Sequence, residues 1–165
     1  PAPAAEAHKY ARGHVAITAG AGLTGAARLV AGGARRAGAG LVTVAAPDAA
    51  TAAVLRAGDP GVMVTEDRDA LLADPRIGVW VIGPGMPPDA ATLAFVARVV
   101  KEGRRVVADA GALRATAGTP AALSGCAVLT PHAGEFAAVF GAPGEDRLAA
   151  VRRAAEVTAS VVVLK

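Results

Sequence analysis

The chain has 165 residues, 53% of them apolar and 19% charged, and a mean hydropathy of +0.43; this balance excludes an intrinsically disordered chain. The net charge of +3 comes from 17 basic residues, nearly all arginine and scattered among only 3% aromatics, so no nucleic-acid-binding surface is expected. Cys126 is the only cysteine, which excludes a disulfide framework or a cysteine-rich zinc site and fits a reducing, cytoplasmic setting.

Residues 1–7 open Pro-Ala-Pro-Ala-Ala and read as a linker cut from something longer. No signal peptide is visible ahead of the first strand, expected at 14–18. After it comes Gly20-Ala21-Gly22-Leu23-Thr24-Gly25, a G-x-G-x-x-G run opening a helix at 25–37. Such a loop suits a dinucleotide, another phosphate or substrate, or no ligand at all. A dinucleotide fold needs an acid at the end of the next strand. That strand, at 41–45, is followed by Ala46-Pro47-Asp48, with the carboxylate displaced past a proline.

A helix is expected at 49–57 and a strand at 79–82. The strand runs into Gly83-Pro84-Gly85-Met86, a stiff turn with bare backbone that a flat ligand can approach. The helix at 89–102 should bury Leu93, Val96, Ala97 and Val100, and its charge order suits the helix dipole. Next, a strand at 106–108 places Asp109 just past its end, either as a helix cap or as a group near metal or phosphate.

Residues 115–134 carry no Asp, Glu, Lys or Arg, but Gly118, Pro120 and Pro131 would strand backbone groups in lipid, so no membrane span is expected. Within them lies a short strand at 127–129, where Cys126 reads as inert packing. It leads into Thr130-Pro131-His132-Ala133-Gly134-Glu135, ahead of a helix at 134–140. His132 and Glu135 are three apart, which puts both on one side of a helical turn. A last helix at 146–159 precedes a buried strand at 161–164 that ends abruptly, so this end too is expected to be cut from a longer chain.

Alternating short strands and helices predict an α/β fold, a mostly parallel sheet with helices on both faces. In such sheets ligands bind beyond the carboxyl ends of the strands. The residues just after each strand are therefore the candidates for function.

Seven motifs in order carry a resemblance. They are His8-Lys9-Tyr10-x-Arg12-Gly13-His14-Val15, Thr24-Gly25-Ala26-Ala27-Arg28-Leu29, the segment from Arg36 to Val44, Ile82-Gly83-Pro84-Gly85, Asp109-Ala110-x-Ala112-Leu113, the segment from Leu129 to Phe136, and Val162-Val163-Leu164-Lys165. Together they resemble the ADP-dependent NAD(P)H-hydrate dehydratases of the ribokinase-like superfamily. The resemblance implies a three-layer α/β/α domain of which 8–165 is the amino-terminal portion, incomplete at its carboxyl end. It also implies removal of water from hydrated NADH or NADPH with ADP or ATP and Mg2+, by phosphorylation of the substrate hydroxyl and loss of phosphate.

By the same resemblance Ala26, Gly85 and His132 line the substrate site, Glu135 helps to hold magnesium with Asp109 nearby, and Lys165 begins the nucleotide-binding segment. The catalytic aspartate would lie beyond Lys165. Fusion to an epimerase domain and a homo-oligomer are implied as well. Gly111 and Arg114 depart from the family's usual acidic residue and asparagine. Other ribokinase-like kinases, of thiazole or hydroxymethylpyrimidine type, share the fold, and a catalytically incomplete nucleotide-binding module stays open beside them.

Overall fold

The computed structural model describes residues 8–165, so the linker expected at 1–7 lies outside the described residues. Seven strands form one sheet: β1 His14–Thr18, β2 Leu41–Ala45, β3 Met63–Thr65, β4 Ile77–Ile82, β5 Arg105–Ala108, β6 Val128–Leu129 and β7 Val161–Val162. The helices are α1 Thr24–Arg36, α2 Ala49–Arg56, α3 Arg68–Ala73, α4 Ala90–Lys101, α5 Ala110–Arg114, α6 Ala133–Phe140 and α7 Arg147–Thr158, with a 3-10 turn at Pro120–Leu123.

Every strand pairing is parallel, in the order β3-β2-β1-β4-β5-β6-β7. The chain winds from β1 outward to β3, then returns to build the other half from β4. Neighbouring β1 and β4 therefore continue in opposite directions, and a crevice opens between their carboxyl ends.

Strand periodicity divides the core into two. Val15 and Ile17 join Val42, Val44, Ala27, Ala31 and Leu55 on the face covered by α1 and α2. Ala16 instead joins Trp80, Ile82, Phe95, Val96, Leu113 and Leu129 on the opposite face. These are the three layers that the resemblance implies. Trp80 and Phe95 meet edge to face with centroids 5.4 Å apart, a geometry that adds to their burial. Cys126 is buried, and desolvation pushes its thiol up to about 11, so it is packing and not a nucleophile.

Some elements differ from expectation. β3, α3 and α5 were not expected, and the last strand is two residues, although the Val163 amide still donates to the Leu129 carbonyl at 2.9 Å. α4 buries Thr92, Phe95, Val96 and Val99, while Ala97 faces outward. The buried stripe is displaced by about one residue from the expected one, with Phe95 packed against Trp80.

Candidate functional site

The loops after β1, β4, β5, β6 and β7 lie side by side along the carboxyl edge. Between β1 and β4 the approach is backbone to backbone. A Cβ on Gly20 would be driven into the Gly85 carbonyl, and one on Gly85 would come within 2.6 Å of the Leu23 carbonyl oxygen. Thr18 Oγ1 donates to the Val81 carbonyl and accepts from the Gly83 amide, both at 3.4 Å, and so ties the two strand ends together. The Asp109 amide donates to the Ile82 carbonyl at 3.1 Å, joining the next loop to this row.

Five aspartates stand at helix N-caps, and four use their carboxylates there. Asp48 accepts from the Thr51 amide, Asp67 from Ala70, Asp89 from Thr92 and Asp146 from Ala149. Asp109 caps α5 by position alone, and its side chain accepts no backbone bond. Its Oδ1 lies instead 2.8 Å from Lys165 Nζ. The Lys165 amide donates to the Pro131 carbonyl at 2.9 Å, which brings Asp109, Lys165 and the His132 segment together. The next residue, Ala110, has φ +44°, a left-handed conformation that costs a residue with a Cβ about 1–2 kcal/mol. Such strain is held in place only where the surroundings over-determine it.

His132 caps α6 in a reciprocal box. Its Nδ1 accepts from the Gly134 amide at 3.0 Å and the Glu135 amide at 3.2 Å, while its own amide donates to Glu135 Oε2 at 3.0 Å. Because Nδ1 is an acceptor, the ring proton sits on Nε2, which lies 3.3 Å from Glu135 Oε1. The ring is 57% exposed and the Glu135 side chain 5%. The histidine is thus presented to solvent and the glutamate holds it from beneath.

This arrangement bears on magnesium. Glu135 Oε2 accepts from the His132 amide and Oε1 lies 3.3 Å from the ring nitrogen, and among the described residues no three His, Cys, Asp or Glu side chains group as a metal site. Mg2+ beside nucleotide phosphates asks a protein for only one or two carboxylates, so Glu135 is the residue here that would help to hold the ion, as the resemblance implies.

The described residues also contain a cleft of about 760 Å³ in the β1–β4 crevice, lined by Thr18, Gly20, Ala21 and Met86 and by Glu66, Asp67 and Asp69 of the β3–α3 turn. Its walls include none of Ala26, Gly85, Asp109, His132, Glu135 or Lys165. The expected residues share one edge, but this hollow is displaced toward β3. Sequence reading passed over the acidic turn because β3 is only three residues long. The aspartates in that turn are engaged, Asp67 as a cap and Asp69 with Arg98 at 2.6 Å. Ala26 is half-buried in the first turn of α1, whose N-cap Leu23 makes no side-chain bond and whose first turn holds no acid. That leaves its amide dipoles open to an anion.

Among the described residues no helix is long and apolar enough to cross a membrane. A family model described as NAD(P)H-hydrate dehydratase matches residues 15–165. A bifunctional NAD(P)H-hydrate repair enzyme of Mycobacterium tuberculosis (strain H37Rv) is 37% identical over 155 residues, which cover 87% of this chain and 32% of that one. An ADP-dependent (S)-NAD(P)H-hydrate dehydratase of Neisseria meningitidis is 33% identical over 176 residues, 99% of this chain and 59% of that one.

Among solved structures, the ADP/ATP-dependent NAD(P)H-hydrate dehydratase of Bacillus subtilis, co-crystallised with ATP and Mg2+, superposes with a TM-score of 0.80 at 25% identity. The match covers 100% of this chain and 62% of that one. A ribokinase-like superfamily protein of Enterococcus faecalis gives 0.82, also at 25% identity, over 100% of this chain and 61% of that one. The chain thus spans about a third of the bifunctional relative and about three fifths of the others. With the family model, the ordered edge motifs and the superfamily fold in agreement, the chain belongs to the NAD(P)H-hydrate dehydratase family.

Proposed function

We propose that this chain forms the amino-terminal part of a dehydratase that returns hydrated NADH or NADPH to the intact dinucleotide at the expense of ADP or ATP. In this reading the ring hydroxyl takes the terminal phosphoryl group of the nucleotide, and phosphate then leaves as the dihydropyridine double bond reforms. Phosphoryl transfer asks mainly for positioning and charge neutralisation. Lys165 supplies a cation, His132 an Nε2–H donor, and Gly85 a bare turn against which a flat ring can lie. Ala26 opens the helix whose amides suit the anionic part of the substrate.

The observation that carries the reading is Asp109. Its carboxylate is freed from capping, turned to Lys165 and followed by a strained residue, in the row of loops where the fold places ligands. Magnesium belongs to this reading as an ion carried by the nucleotide phosphates, the usual mode for Mg2+ with one or two carboxylates and water. Glu135 is the carboxylate that would help to hold it, beside His132. The catalytic base lies beyond Lys165, and an attached epimerase domain, homo-oligomeric assembly and a cytoplasmic setting go with the same reading.

The test is recovery of dihydronicotinamide absorbance from hydrated NADH plus ADP. The 165 residues alone should show no turnover, and the chain continued to its relatives' length should show it. Turnover by the 165 residues would place the base among them and overturn this division of the site.

A further inference from the structure

Leu23 departs from two local rules at once. It is 66% exposed, and among the described residues it joins none of the three apolar clusters. It also stands at the N-cap of α1, where leucine is among the poorest residues because it offers no acceptor to the first amides. At the same position α2, α3, α4, α6 and α7 each carry a side chain that accepts a backbone bond. An exposed apolar group that forgoes a cap and gains no packing is expected at a functional site, where local consistency gives way to a ligand.

Two neighbours fix its place. A Cβ on Gly85 would lie 2.6 Å from the Leu23 carbonyl oxygen and 3.2 Å from Leu23 Cβ, so the root of this side chain rests on the Gly83-Pro84-Gly85 turn. Ala26 is the third residue of α1, and the N-cap and third positions meet across the first turn, the closeness that a capping box uses. At α6 those two positions are His132 and Glu135, bonded to each other. At α1 they are Leu23 and Ala26, both apolar, with no acid in the first turn. Leu23 thus stands between Ala26 and Gly85, and a flat ring laid on the Gly85 turn meets its side chain.

We propose that Leu23 is an apolar clamp on the substrate ring, which keeps water from taking the phosphoryl group meant for the ring hydroxyl. The inference rests on the dehydratase reading and adds a residue to it. In the productive step the bond from the terminal phosphorus to the nucleotide oxygen breaks, one to the hydroxyl oxygen forms, and the hydroxyl proton goes to the base. Water in place of the hydroxyl gives free phosphate and leaves the dinucleotide hydrated. A leucine at the ring edge disfavours water there.

The test uses the chain continued to its relatives' length, supplied with hydrated NADH and ADP, and measures phosphate released against dihydronicotinamide formed. The parent should release phosphate and form dinucleotide in equal amounts. Leu23→Ser should raise the phosphate-to-dinucleotide ratio about twofold or more. Its KM for hydrated NADH should rise about tenfold, on the order of losing one buried leucine contact. Its melting temperature should hold or rise, because serine is a good cap for α1. Leu23→Met, which conserves volume, should keep the parent's ratio, as should Leu29→Ser at another exposed leucine of α1. An unchanged ratio in Leu23→Ser, or an equal rise in Leu23→Met or Leu29→Ser, would overturn the proposal and leave the dehydratase reading standing. A parent that forms no dihydronicotinamide would overturn both.

Discussion

Lys165 Nζ and Asp109 Oδ1 lie 2.8 Å apart, joining the end of the β7 segment to the start of α5 across fifty-six positions of sequence. The pair is partly exposed, at 47% and 24% of the two side chains. Surface pairs of this kind contribute about 0–1 kcal/mol. Asp109→Asn should therefore change folding stability by less than about 1 kcal/mol while lowering nucleotide-dependent turnover at least tenfold in the chain continued to its relatives' length. Asp89→Asn is the control. Its carboxylate caps α4 through the Thr92 amide at 2.8 Å, and asparagine is an equally good cap, so both properties should hold. Denaturant unfolding and the dehydration assay together read the difference.

At His132 the cap and the exposed ring nitrogen separate by substitution. His132→Ala loses the bonds from the Gly134 and Glu135 amides and should cost about 1 kcal/mol. His132→Asn restores a side-chain cap but offers no donor at the Nε2 position. Stability within about 0.5 kcal/mol of the parent, with turnover still depressed, is the expected pattern. Activity that recovers along with stability would make His132 a structural residue only.

The glycines of the G-x-G-x-x-G run are not equivalent. Gly20→Ala drives a Cβ into the Gly85 carbonyl and should destabilise by about 1–3 kcal/mol or more. Gly25 lies in α1 with open space around it, so Gly25→Ala should stabilise by about 0.5–1 kcal/mol. A thermal melt of each variant settles the order.

Burial lowers the pKa of His14, which Asp74 partly offsets and Arg76 reinforces. The folded state thus binds this proton less readily than the unfolded chain. The contribution of His14 to stability is fully present above about pH 6.5, its ordinary value, and falls as pH drops through that value toward the lowered one. Urea midpoints should decline on acidification below pH 6.5 more steeply in the parent than in a folded His14→Gln variant. Parallel slopes would show that His14 does not titrate on unfolding.

The layered fold was legible because β1, β2 and β4 are apolar runs buried on both faces, the pattern a parallel central strand imposes. β3 was not, because its three residues sit at the sheet edge with Met63 exposed and carry too short a period to register. α5 escaped for a related reason. It has five residues and starts from a left-handed alanine, a conformation that alanine does not advertise. His132 and Glu135 were readable as a pair from their spacing, but spacing alone could not show that the glutamate's oxygens face the histidine. The cleft that the acidic run at 66–69 helps to wall is assembled from distant segments, and no local pattern foretells it.

Hydrogen–deuterium exchange of the chain continued to its relatives' length, with and without ADP and hydrated NADPH, tests the central claim most directly. The loops carrying Ala26, Gly85, Asp109, His132 and Lys165 should gain protection together when both ligands are present. Protection confined to other surfaces, with these five loops exchanging as in the free protein, would contradict it.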